Sequence, residues 1–141
     1  MSAESTTPDP VELTNGFFAA ADRRDLDAVM GFFAPDAAWE TVSLGTRFEG
    51  VAAIRSFFED WTGAYEDFGM EVEEALDLGT GVVFVVTRIA ARPAGSAGSA
   101  LIRRRPLAFI WAEGLLARVT AYAGSVEEGR ASAERLAESR R

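Results

Sequence analysis

Glu74 and Arg88 are the residues whose types and spacing could do chemistry. Gly79-Thr80-Gly81 forms a tight turn between two strand-like runs. Pairing Leu78 with Val82 across it sets Glu74 opposite Val86 and diagonal to Arg88, on one face. That face also bears Val72, Leu76 and Phe84, and is assigned to a cavity. Desolvation there raises a carboxylate pKa while a guanidinium lowers it, and the balance decides whether Glu74 serves as a base with Arg88 as anion stabiliser. The other reading is a solvated cross-strand bridge, worth ~0–1 kcal/mol. Both readings stay open on the sequence. Tyr65, placed at a helix end, is either an auxiliary hydrogen-bond donor to a ligand or a hydroxyl turned to water. Trp39, Phe57, Trp61, Phe109 and Trp111 either line a cavity for a small hydrophobic ligand or pack as core.

The missing residue types narrow the chemistry further. The chain has no His, Cys, Lys or Gln, and all 14 basic residues are Arg. Imidazole bases, thiolate nucleophiles and Schiff-base lysines are excluded. Only carboxylates remain to ligate zinc, so neither a metal nor a cofactor is expected. Asp22, Asp25 and Asp27 resemble a carboxylate cluster but are better explained by helix termination and capping. Arg103-Arg104-Arg105 sits in a strand, so its charges split between faces and suit acidic partners better than phosphate. The net charge of −8 works against nucleic acid and anionic membrane surfaces. The absence of cysteine fits a cytoplasmic protein.

These residues need elements to position them. Asp9-Pro10-Val11-Glu12 has the form of a helix start, followed by Leu13, Phe17, Ala20 and Ala21 at helical spacing. Asp25 caps a short second helix, broken at Pro35-Asp36. Ala37, Trp39 and Thr41 alternate as a short strand, and Glu40 faces away from them. After Gly50, Ile54, Phe57, Phe58, Trp61 and Tyr65 share one helical face, the strongest helical signal in the chain. From Gly69 to Gly124 the pattern is strands, with Val82–Ala91 apolar on both faces and therefore central. Arg92 to Ala100 reads as a mobile loop, and Val126–Arg140 as a polar, solvated helix. The arrangement predicts an α+β fold: N-terminal helices packed on the concave face of a curved antiparallel sheet. A tail over residues 1–8 and one domain over 9–141 are expected, and no apolar run approaches the ~20 residues of a membrane span. Val83, Val85, Ile89, Ile102 and Ile110 are assigned to the outer face of the sheet, where a homodimer would cover them.

Order and spacing of several stretches resemble SnoaL-like proteins of the nuclear-transport-factor-2-like superfamily. The stretches are Ala21-Asp22-Arg23-Arg24-Asp25-Leu26-Asp27, Phe33–Trp39, Phe48–Arg55, Phe57–Trp61 and Glu113-Gly114 with Leu116, Arg118, Val119, Ala121 and Tyr122. The resemblance spans about Pro10 to Glu134 and implies a cone-shaped fold around one small-molecule pocket. It implies no single activity, since the fold hosts isomerases, cyclases, epoxide hydrolases and non-catalytic binders. Where ketosteroid isomerases of this fold carry a Tyr, a general-base Asp and a protonated Asp, the chain resembles them in position only, with Phe17, Thr41 and Leu107. Those three are expected to contact a ligand without acid–base chemistry. In the Asp–Arg–Asp set of limonene-epoxide-hydrolase-like members, the Arg falls on Arg88 and the acids on Ala90 and Ala121. The expectation is therefore a small-molecule-binding protein. It is either a cofactor-free hydrolase, isomerase or cyclase using Glu74, Arg88 and Tyr65, or a non-catalytic binding or dimerisation domain.

Overall fold

The structure is a computed structural model that describes residues 9–63, 65–93 and 101–141; the side chains of 61, 62, 65–68, 91, 93 and 101 are outside that set. The expected N-terminal tail and most of the 92–100 loop also lie outside the described residues. Helix α1 (Pro10–Asp22) starts as its sequence dictates: Asp9 accepts a hydrogen bond from the Val11 N–H at 2.9 Å, and Pro10 fills the first turn. Helix α2 (Leu26–Gly31) is capped by Asp25, which accepts from the Ala28 N–H at 3.1 Å. Strand β1 (Phe33–Thr41) follows immediately, so Pro35-Asp36 lies inside an extended segment instead of separating helix from strand. A 3-10 turn (Val42–Leu44) leads to β2 (Thr46–Glu49) and helix α3 (Val51–Gly63).

The remaining elements are β3 (Tyr65–Gly79), β4 (Val82–Pro93), β5 (Leu101–Ala112), β6 (Leu115–Ala121) and helix α4 (Val126–Ser139). The six strands form one curved, unclosed sheet in the order β2-β1-β6-β5-β4-β3. Neighbours pair antiparallel except β1 and β6, which run parallel. That exception follows from topology, because β6 reaches β1 only after α3 and four intervening strands, β2 to β5, a connection long enough for parallel pairing. The β3–β4 turn needs left-handed backbone at Gly79, Thr80 and Gly81, with φ of 90°, 56° and 84°.

The sheet is covered on both faces. Helices α1 to α3 cover one, the inner face, and bury Phe17, Val83, Val85, Phe109 and Val119. Helix α4 covers part of the other, burying Val82, Phe84, Val86, Ala108 and Ile110. This explains why β4, flanked by β3 and β5, is apolar on both sides. Helix α4 is less solvated than its charges suggest: Gly129, Ala133 and Ala137 recur every four residues and are buried against the strands. A methyl group at Gly129 would collide with the Pro106 ring, so only glycine allows the helix to sit this close. Among the described residues no helix is long and apolar enough to cross a membrane.

One bulge controls which residues share a face. Val72 pairs with Thr87 but Glu74 pairs with Val86, so Glu73 is the extra residue in β3. The expected pairing of Glu74 with Val86 is the observed one, but Val82 pairs with Gly79 and not with Leu78, because β3 has a second irregularity between Asp77 and Gly79. Glu74 shares its face with Leu76 and Phe84 as expected, but that face is the outer one, and the bulge moves Val72 off it. Met70, Val72 and Ala75 pack toward the inner core, while Leu76 packs under α4 with Phe84.

Candidate functional site

A cavity of about 200 Å³ lies between the inner face of the sheet and helices α1 and α3. Helix α1 contributes Phe17, Phe18 and Ala21, and α3 contributes Phe57 and Phe58. The strands add Trp39 and Thr41 from β1, Met70 from β3, Thr87 and Ile89 from β4, Leu107 from β5 and Ala121 from β6. Leu44, 69% exposed in the 3-10 turn, stands at the edge. The aromatic wall is held in tilted and edge-on contacts: the Trp39 ring lies 5.1 Å from Phe58 and 5.9 Å from Phe57, and Phe57 stacks on Phe48 at 4.7 Å.

Two buried polar atoms of lining residues, the Trp39 indole Nε1 and the Thr87 hydroxyl, have no hydrogen-bond partner among the described residues. A second, more polar groove of about 410 Å³ runs along β5 where β6 has ended. It is lined by Ser43, Arg103 to Pro106 and Tyr122 to Gly124. Arg103 and Arg105 line both spaces. Burial pushes the Tyr122 phenol above its ordinary pKa, with Arg118 and Arg135 opposing the shift.

The residues proposed from sequence divide sharply. Phe17, Trp39, Thr41, Phe57 and Leu107 line the cavity. Phe109 and Trp111 belong to the core beneath it, Phe109 against the Phe17 ring at 5.3 Å and Trp111 donating from Nε1 to the Thr14 hydroxyl at 2.9 Å. The Trp61 and Tyr65 side chains lie outside the described residues. Tyr65 also opens β3 instead of ending α3, because the helix stops at Gly63.

Glu74 and Arg88 are not in the cavity. Glu74, paired with the outer-face Val86, points to the outer face, where it accepts from Arg130 of α4 through both carboxylate oxygens at 2.7 and 2.9 Å. Arg130 also lies 5.5 Å over the Phe84 ring. Arg88 alternates with the cavity-facing Thr87 and Ile89, so it too points outward, 3.9 Å from Glu71. The pair is therefore two separate outer-face bridges.

The outer-face dimer surface is corrected by the same phase. Val83 and Val85 are in the inner core, Ile89 lines the cavity and Ile110 lies under α4. Ile102 alone of the five is exposed, at 58%. Asp25 caps a helix as expected, and Asp27 accepts from Arg55 at 2.6 Å, which raises the Arg55 pKa.

Thr87, Arg103 and Arg105 were missed as cavity residues. Thr87 and Ile89 share the period-two phase of Val83 and Val85, and Arg103 and Arg105 flank Arg104 on the opposite side of β5. Once β4 is phased correctly, its pairing of Thr87 with Arg105 and Ile89 with Arg103 brings both arginines to the cavity.

Residues 14–119 match the SnoaL-like domain family. The chain belongs to that family. A comparison with curated proteins finds no match. Among solved structures, this SnoaL-like chain is similar to TerC co-crystallised with polyporic acid, with a TM-score of 0.70 at 16% identity over 86% of this chain and 97% of that one. A Mycobacterium tuberculosis protein in complex with estradiol-17β-hemisuccinate gives 0.71 at 16% identity, covering 83% and 95%. A Sinorhizobium meliloti protein whose name carries a provisional polyketide cyclase assignment gives 0.66 at 26%, covering 79% and 94%. These likenesses establish the cone-shaped, nuclear-transport-factor-2-like architecture. Phe17, Thr41 and Leu107 line the cavity, and none is an acid. Arg88 lies on the other face of the sheet, beside Glu71.

Proposed function

We propose that the protein binds a small hydrophobic molecule in the cavity between α1, α3 and the sheet, without carboxylate acid–base chemistry on it. One observation carries this reading: among the described residues, the wall is aromatic and aliphatic and includes no carboxylate. The polar groups it offers are two threonine hydroxyls, one indole N–H and two guanidiniums. These can orient a ligand, but none is a general base near neutral pH. The volume is below the ~300–1,000 Å³ usual for drug-sized ligands, and suits a body of one or two rings. Structural likeness to proteins that hold polyporic acid and estradiol-17β-hemisuccinate supports a ligand of ring-containing type.

Calorimetric titration with 2-naphthalenemethanol tests the cavity. Saturable binding is expected in the wild type and loss of it in Ala121→Phe, which fills the space from β6 at about 1–3 kcal/mol of overpacking. No binding to the wild type, or equal binding to a folded Ala121→Phe variant, overturns the proposal.

A further inference from the structure

The arginines at the cavity define the class of ligand more narrowly than the apolar wall does. On β5, Arg104 points to the outer face and is neutralised by Glu73, its Nε 2.7 Å from the carboxylate. Arg103 and Arg105 point the other way. Neither has an ion-pair or hydrogen-bond partner among the described residues. In a chain of net charge −8, two neighbouring guanidiniums left without acids contrast with the paired arginines elsewhere on the sheet.

Their position matters as much as their charge. They line the apolar cavity on one side and the polar groove with Ser43 on the other. Arg105 pairs across the strands with Thr87, whose buried hydroxyl has no partner among the described residues. A neutral hydrocarbon would satisfy neither the hydroxyl nor the cations. A molecule with an apolar ring body and one anionic oxygen group at its end would satisfy both. Its body would sit against Phe57 and Leu107, and its charge would reach the guanidinium forks.

We propose that the ligand is a hydrophobic monoanion, such as an aromatic carboxylate or a phenolate- or enolate-type acid, with its anionic oxygens held by Arg103 and Arg105. This rests on the cavity being the ligand site, as proposed above.

Matched probes separate the two claims. 2-Naphthoate and 2-naphthalenemethanol have the same ring body and differ in charge. The wild type is expected to bind the naphthoate about tenfold more tightly, a preference that shrinks as salt is added. In Arg103→Gln/Arg105→Gln the preference is expected to vanish, the two probes then binding with equal affinity. Arg104→Gln, the loss of one positive charge on the outer face, is expected to keep the preference. Equal binding of the two probes to the wild type leaves the cavity standing and overturns the anion site. So does a preference that survives in the double variant or disappears in Arg104→Gln. Binding of neither probe overturns the cavity and the anion site together.

Discussion

The two faces of the sheet are built from the same strands and end in opposite states. On the outer face four pairs of opposite charges are matched: Glu40 with Arg118 at 3.2 Å, Glu71 with Arg88 at 3.9 Å, and Glu73 with Arg104 and Glu74 with Arg130 at 2.7 Å. Helix α4 then closes over Phe84 and Val86 with small residues in contact. On the inner face the helices stop short of full contact and leave a cavity. Around it are an indole N–H, a hydroxyl and two guanidiniums with no partner among the described residues. The indole N–H and the hydroxyl are buried, and buried polar groups normally find partners, because an unmet donor costs about 1–3 kcal/mol. The difference between the faces marks the inner one as shaped for a ligand and the outer one as shaped for stability.

The largest effect that would test this division comes from the outer core. Phe84 is fully buried beneath α4 and carries the Arg130 contact. Phe84→Ala is expected to cost about 3–5 kcal/mol in urea unfolding. Its affinity for 2-naphthalenemethanol should nonetheless match that of the wild type at a temperature where both are folded. A parallel fall in affinity would show that the faces are coupled and break the comparison.

Much of this division was legible in the residues, and the rest failed for local reasons. The helix caps at Asp9 and Asp25 and the glycine turn at Gly79–Gly81 are short-range signals that no distant contact overrides. The doubly apolar β4 could be read as central because strands buried on both faces lose alternation. The error was one of face. The pattern correctly puts Glu74, Leu76, Phe84 and Arg88 together, but β4 is apolar on both sides, so its alternation does not say which side meets the helices. The bulge at Glu73 added to this, because Val72, an inner residue, reads as sharing the face of Leu76. The docking of α4 was hidden differently, since its many charges mask a stripe of Gly129, Ala133 and Ala137. Small residues bury little area and so carry little hydrophobic signal.

An intermediate effect belongs to the inner core, beneath the cavity. Thr14 is fully buried; its hydroxyl donates to the Pro10 carbonyl at 2.7 Å and accepts from the Trp111 indole at 2.9 Å. This link ties the first turn of α1 to β5. Thr14→Val keeps the shape and strands the indole N–H, so a loss of about 1–3 kcal/mol is expected, with Thr14→Ser restoring most of it. If the valine variant is as stable as the wild type, the inner core does not depend on its polar groups being matched. The unmatched atoms around the cavity would then lose their significance.

The smallest expected effect carries the most functional weight. A single guanidinium nitrogen of Arg130 reaches both Glu74 oxygens, but the Glu74 and Arg130 side chains are 37% and 39% exposed, so solvent screens the pair. Glu74→Gln is expected to cost only ~0–1 kcal/mol, shrinking further in high salt. Being on the α4 side, it should leave the affinity for both naphthalene probes unchanged. The same carboxylate facing the cavity would instead repel the naphthoate, so its removal would strengthen naphthoate binding selectively. That outcome would return Glu74 to the ligand site and reverse the assignment of the two faces. A small stability loss with untouched binding places the outer-face charges in the scaffold and leaves ligand selection to Arg103 and Arg105.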